Sequence, residues 1–144
     1  MISMKIIDAT DNILGRLSSH VAKMLLNGEE VIIINAEKAV VTGNKEFILN
    51  DYLEKWQRGS VRKGPHYPRM PDRILRRTVR GMLPFKTSHG REAYKRLKVF
   101  IGKPDNIDES KIEKIDDAIY RKIRNKITLG EISRNLGAKF EVKE

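Results

Sequence analysis

The chain has no cysteine in 144 residues, which excludes a disulfide framework, a thiolate zinc site and a cysteine nucleophile. Histidine is nearly as scarce: His20, His66 and His89 are scattered, and their spacing holds no metal-ligand pattern. No apolar run approaches the roughly 20 residues that a membrane-spanning helix needs. The N-terminus lacks the charged region, apolar stretch and small-residue cleavage site of a signal peptide. The expected location is the cytosol, with no membrane partner. Nucleotide-binding glycine patterns are also missing: there is no G-x-G-x-x-G and no G-x-x-x-x-G-K followed by Ser or Thr, and Gly15 stands alone in its connection. No cofactor and no small-molecule substrate are expected.

What the chain does have is positive charge in one place. Lys and Arg number 29 against 19 Asp and Glu, a formal charge of +10. Between Lys55 and Lys103 there are 15 basic and 2 acidic residues, while the rest holds 14 basic and 17 acidic. A general solubility device would spread its charge; a concentrated excess is the electrostatic footprint of a nucleic-acid binder.

The centre of that excess is a two-faced helix. Pro71 suits the first helical position, Asp72 complements the positive end of the helix dipole, and Gly81 with Pro84 stops the run. At about 100° per residue, Ile74, Leu75, Val79 and Met82 share one side, and Arg73, Arg76, Arg77 and Arg80 the other. Charges on an amphipathic helix usually form a solvated face with interleaved carboxylates. Here the sole carboxylate is Asp72, and like charges at this spacing repel by roughly 0.2–0.5 kcal/mol per pair. The stripe becomes favourable when an anionic polymer covers it.

The segment leading into this helix, Gly59 to Pro71, contains three prolines and two glycines, so regular structure is not expected. Arg58, Arg62, Lys63 and Arg69 surround His66 and Tyr67 there. A basic run with interleaved rings can follow phosphates while stacking on unpaired bases, whereas the plain alternative is a mobile surface linker.

The remaining chain gives the scaffold. Met4 to Asp8 reads as a short buried strand, with Thr10, Asp11 and Asn12 as candidate caps for a helix through Leu14, Leu17, Val21, Met24 and Leu25 that ends at Asn27-Gly28. Val31 to Ile34 suits a strand buried on both faces. Strand, helix, strand implies a βαβ unit and a parallel sheet, hence an α/β fold. A helix from Asn44 to Gln57 is expected to bury Phe47, Ile48, Tyr52 and Trp56, with Trp56 a core anchor. Met82 to Phe85 is an apolar packing turn, Lys86 to Gly90 a polar loop, and Arg91 to Arg96 a short helix. Leu97, Val99 and Ile101 form a final strand, stopped by Gly102 and Pro104. From Asp105 the charge is mixed and Ile112, Ile115, Ile119 and Ile123 follow helical spacing. Thr128 to Glu131 fits a capping box with Ile127 and Ile132 as its staple, so a last helix should reach Gly137. This divides the chain into a basic domain, 1–104, and a helical extension, 105–144. The extension's apolar stripe can pack on the domain or on a neighbouring protein.

An enzyme using the same basic surface, such as a nuclease or RNA-processing protein, would need convergent acid, base or metal-binding groups. Its candidates are Asp8, Asp11, His66, Asp72 and His89, spread over the chain and never paired at ligand spacing.

Gly81 to Pro104, GMLPFKTSHGREAYKRLKVFIGKP, resembles the signature segment of the universal large-subunit ribosomal protein family numbered thirteen, through G-M-L-P and the later R-L-K-V-F-I-G. The stretch IIDATDNILGRLSSHVAKMLLNGEEVIIINAEKAVVTGN resembles that family's opening, and the two together span residues 6–104. The resemblance implies a three-layer α/β/α domain around a small, mainly parallel four-stranded sheet, and a structural, non-catalytic protein. It implies binding to large-subunit ribosomal RNA, neighbours among other large-subunit ribosomal proteins, and early entry into assembly. It adds Lys86, His89, Arg91, Lys95 and Arg96 to the expected RNA surface. The chain lacks much of the bacterial middle insertion and carries an Ile/Leu-rich tail, so it is similar to the archaeal and eukaryotic branch, and contacts of bacterial neighbours do not transfer.

Overall fold

A computed structural model describes residues 4–58, 68–105, 107, 109–121 and 125–140. The fold is α/β, and its sheet is wholly parallel. Strand β1, Met4–Asp8, is followed by helix α1, Leu14–Leu26, and strand β2, Glu30–Ile34. The first and second strands pair in parallel from Met4 opposite Glu30 to Asp8 opposite Ile34. Strand β4, Leu97–Val99, lies on the outer side of β2, with Val31 opposite Leu97 and Ile33 opposite Val99. The fourth position belongs to β5, Ile112–Glu113, beside β1, giving the order β4-β2-β1-β5. Strand β3, Val40–Thr42, pairs antiparallel with β6, Lys126–Thr128, in a separate two-stranded ribbon.

Strand periodicity explains the core. Ile7, Val31, Ile33, Leu97 and Val99 fall in register and are buried together with Leu14, Leu17, Val21 and Leu25 of α1. Helix α3, Pro71–Gly81, adds Ile74, Leu75 and Val79, all fully buried, and packs against α1 and β4. Helix α5, Leu129–Asn135, adds Leu129 and Ile132 at 0% exposure and packs against α3. The arginine helix is therefore held by its apolar face on both the sheet-associated helix and the tail.

Several expectations need correction. Thr10, Asp11 and Asn12 do not cap α1, whose N-cap is Ile13 with no side-chain cap bond. They build the turn before it: Asp11 adopts φ 58°, and fully buried Asn12 donates through Nδ2 to the carbonyls of Asp8 and Thr10 at 2.8 and 3.2 Å. In helix α2, Lys45–Gln57, Asn44 caps the first turn and Ile48 and Tyr52 are buried, but Phe47 is 71% and Trp56 37% exposed. Phe47 lies off the buried stripe. Trp56 shares the stripe's direction but stands at the helix end, beyond the buried Ile48 and Tyr52. Met82, at the cap after α3, is likewise exposed.

Helix α4 runs Ser88–Lys95, three residues earlier than expected, because the Thr87 hydroxyl accepts from Gly90 N and starts the helix in what reads as a polar loop. The strand Leu97–Val99 is not the final one, since β5 and β6 follow. The expected helix through Ile112, Ile115 and Ile119 does not form; Ile112 joins β5, and Asp116–Ala118 is a single 3-10 turn. Ile123 lies outside the described residues. β-branched residues serve either state, and here the open edge of β1 supplies the strand partner. The capping box is present: Thr128 Oγ1 accepts from Glu131 N at 3.2 Å, with Ile127 and Ile132 both buried.

Candidate nucleic-acid interface

The helix α3 buries Ile74, Leu75 and Val79, so its geometry forces residues 73, 76, 77 and 80 outward. Arg73 is exposed, and Arg76, Arg77 and Arg80 are half-buried at the walls of one open groove. The groove's other wall comes from Phe85, in the turn after α3, and Tyr94, on α4. A second concavity continues from Arg77 and Arg80 past Phe85 to Lys86.

Rings and guanidinium groups are interleaved in this groove. The Arg76 guanidinium lies 4.9 Å from the Tyr94 ring centroid, and that of Arg80 lies 4.2 Å from Phe85. The two rings meet edge to face at 5.6 Å and 88°. A ring contact of this kind consumes no hydrogen-bond donor, so the terminal N–H groups of these guanidinium groups remain available to phosphate oxygens. Arg73, Arg76 and Arg80 form no ion pair with a described carboxylate. Asp72 does not neutralise them; its Oδ1 is buried at the start of α3 without a hydrogen-bond partner.

Towards the start of α3, Arg69 lies 5.3 Å from the Trp56 ring centroid. Arg69 and Arg73 border a further hollow with Gly137, Ala138 and Lys139 of the tail. Sequence reasoning missed Lys139, Trp56, Phe85 and Tyr94 as members of this surface. Lys139 is remote in sequence; Trp56 reads as a core anchor and Phe85 as part of an apolar turn, and Tyr94 has no role of its own within the short helix expected from Arg91 to Arg96. The available signal was their alternation with arginine, which pairs rings with cations once the chain folds back.

The other expected residues divide three ways. Arg58 is exposed at the end of α2, and Lys86, His89, Arg91 and Lys95 are exposed on or before α4. Arg96 is set apart: its guanidinium donates to the Leu25 carbonyl at 2.7 Å and so closes the C-terminal end of α1. Arg62, Lys63, His66 and Tyr67 lie outside the described residues.

The acidic candidates are used locally. Asp8 Oδ1 accepts from Thr10 N, Thr10 Oγ1 and Asn35 Nδ2 at 3.0, 2.7 and 3.0 Å. Burial opposes its ionisation, but these hydrogen bonds and the nearby Lys114 outweigh burial and hold the carboxyl below its ordinary pKa. Asp11 pairs with Lys126 at 3.4 Å. Among the described residues no group of three or more His, Asp or Glu side chains is placed to hold a metal ion, and no helix is long and apolar enough to cross a membrane.

Comparison with known proteins gives a consistent result. The sequence model of a family described as Ribosomal protein L13 matches residues 3–106. A large ribosomal subunit protein uL13 of Archaeoglobus fulgidus is 54% identical over 135 residues, covering 92% of this chain and 86% of that protein. The uL13 of Thermoplasma volcanium is 52% identical over 134 residues, covering 93% and 98%. That of Methanocaldococcus jannaschii is 50% identical over 143 residues, covering 95% of this chain and all of the relative.

Proposed function

The chain belongs to the ribosomal protein L13 family, in its archaeal form, and from that membership we propose that its arginine groove binds folded large-subunit ribosomal RNA. Its role is structural and non-enzymatic, within the large subunit of the ribosome. The observation that carries the RNA reading is the row Arg73, Arg76 and Arg80, which faces outward without carboxylate partners among the described residues. Phosphates crowded by RNA folding repel one another, and fixed guanidinium forks relieve that repulsion where two backbone segments approach. A rigid α/β scaffold is suited to this because the cations arrive already spaced. Such a protein acts early, since neutralisation has to accompany the compaction it permits. Exposed parts of the tail and of α2 are left for neighbouring large-subunit proteins.

The test is an Arg73→Ala, Arg76→Ala double variant titrated with a transcript of archaeal large-subunit ribosomal RNA over a range of KCl. The expected result is an unchanged circular dichroism spectrum, weaker binding, and a log–log salt slope shallower by about 0.7–0.9 for each lost phosphate contact. An unchanged slope refutes the assignment of these arginines. The intact protein should also sediment with large ribosomal particles at low salt and be stripped from them at high salt.

A further inference from the structure

We propose that Phe85 and Tyr94 are positioning residues that convert Arg76 and Arg80 into an oriented receptor for two neighbouring phosphodiesters, a proposal that rests on the reading of this groove as an RNA surface. A solvated arginine samples many rotamers, and capture of a phosphate in a bidentate fork requires one of them. A ring under the guanidinium selects that subset before the phosphate arrives. It does so without consuming the terminal N–H donors, and so without competing with the ligand.

The arrangement is braced from both sides. Phe85 and Tyr94 fix each other edge to face at 5.6 Å. The turn carrying Phe85 is held by Thr87, whose hydroxyl donates to the Pro84 carbonyl at 2.8 Å while accepting from Gly90 N at 3.2 Å. Helix α4 presses so closely on this turn that a Cβ on Gly90 would stand 2.0 Å from the Pro84 carbonyl oxygen. On the arginine side, Arg76 Nε is buried without a hydrogen-bond partner, which commits the inner part of that side chain to the protein. Arg73 provides the internal contrast, being exposed and without a ring partner among the described residues. Arg73 contributes charge to the groove, whereas Arg76 and Arg80 contribute charge and direction.

The experiment is a double-mutant cycle on the full chain, read as affinity and salt slope for the same RNA transcript. Tyr94→Leu and Arg76→Lys both keep the net charge, and each is expected to weaken binding by about three- to tenfold with the slope unchanged. Arg76→Ala lowers the slope by about one contact. In the Arg76→Ala background, Tyr94→Leu should have no further effect, because the ring acts through that arginine. An equal loss from Tyr94→Leu in both backgrounds, or no loss in either, overturns the positioning role. Phe85→Leu with Arg80→Ala repeats the cycle if Tyr94→Leu fails to fold, and Arg76→Lys leaves the rings in place as a further arm. If Arg76→Ala and Arg80→Ala leave both affinity and slope at wild-type values, the RNA reading of the groove fails instead.

Discussion

Asp8 shows how much one oxygen can organise. Its Oδ1 accepts three hydrogen bonds, two from Thr10 and one from Asn35, and thereby joins the end of β1 to the end of β2. Asn35 can take part because it adopts a left-handed conformation, φ 56°, that places its amide toward Asp8. Hydrogen bonds to a charged acceptor are worth about 1.5–3 kcal/mol when the acceptor is removed and its donors are stranded. Asp8→Ala should cost about that much in urea unfolding at neutral pH, whereas Asp8→Asn keeps an acceptor and should cost less. The pH dependence has a definite sign. With a folded-state pKa below the ordinary value, the carboxylate's contribution is fully present above about pH 4 and disappears as pH falls through the lowered value. The stability gap between wild type and Asp8→Asn should therefore close in acid; a gap that stays constant from pH 7 to pH 2 refutes the account.

At the level of elements, α4 and the turn before it decide the shape of the groove. Gly90 lets the helix rest on the turn, and an added methyl has no space beside the Pro84 carbonyl, with its carbon at 2.3 Å and oxygen at 2.0 Å. The opposing atoms are backbone, so Gly90→Ala must move the turn itself. The expected loss is about 2–3 kcal/mol in thermal or urea unfolding, larger than the roughly 1 kcal/mol for removing the cap with Thr87→Ala. A Gly90→Ala variant as stable as wild type would show that the turn yields freely. This contact also marks where the sequence stopped being legible. Helices α1 and α3 and strand β2 were readable because their apolar periodicity, prolines and terminal glycines agree. Helix α4 opens with Thr-Ser-His-Gly, which resembles a loop until the threonine cap and the close approach of Pro84 are seen. The isoleucines of the tail were readable as apolar positions, but their period misled, since the free edge of β1 chose a strand. The arginine face was legible from spacing alone. Its aromatic partners were not, because the contact joins two elements through a turn.

Across the molecule, the basic central segment and the mixed-charge tail have separate tasks that meet in one core. The central segment supplies the groove, while the tail supplies β5 to the sheet and Ile127, Leu129, Ile132 and Leu136 to the buried cluster around α3. Each such side chain is worth about 1.5–3 kcal/mol on burial, so four approach the whole stability of about 5–15 kcal/mol of a domain this size. A chain ending at residue 104 should therefore lose its cooperative thermal transition by circular dichroism, and a sharp transition near that of the full chain would show that the tail is dispensable. A subtler variant separates stability from binding. Ile132 is fully buried on the inner face of α5, which packs on α3, and Ile132→Ala should cost about 2–5 kcal/mol through lost burial and a residual cavity. It removes no cation, so below its melting temperature the variant should bind RNA with the wild-type salt slope. A shallower slope would mean that packing under α3 sets the number of phosphates contacted, and that the arginines depend on the tail for their spacing.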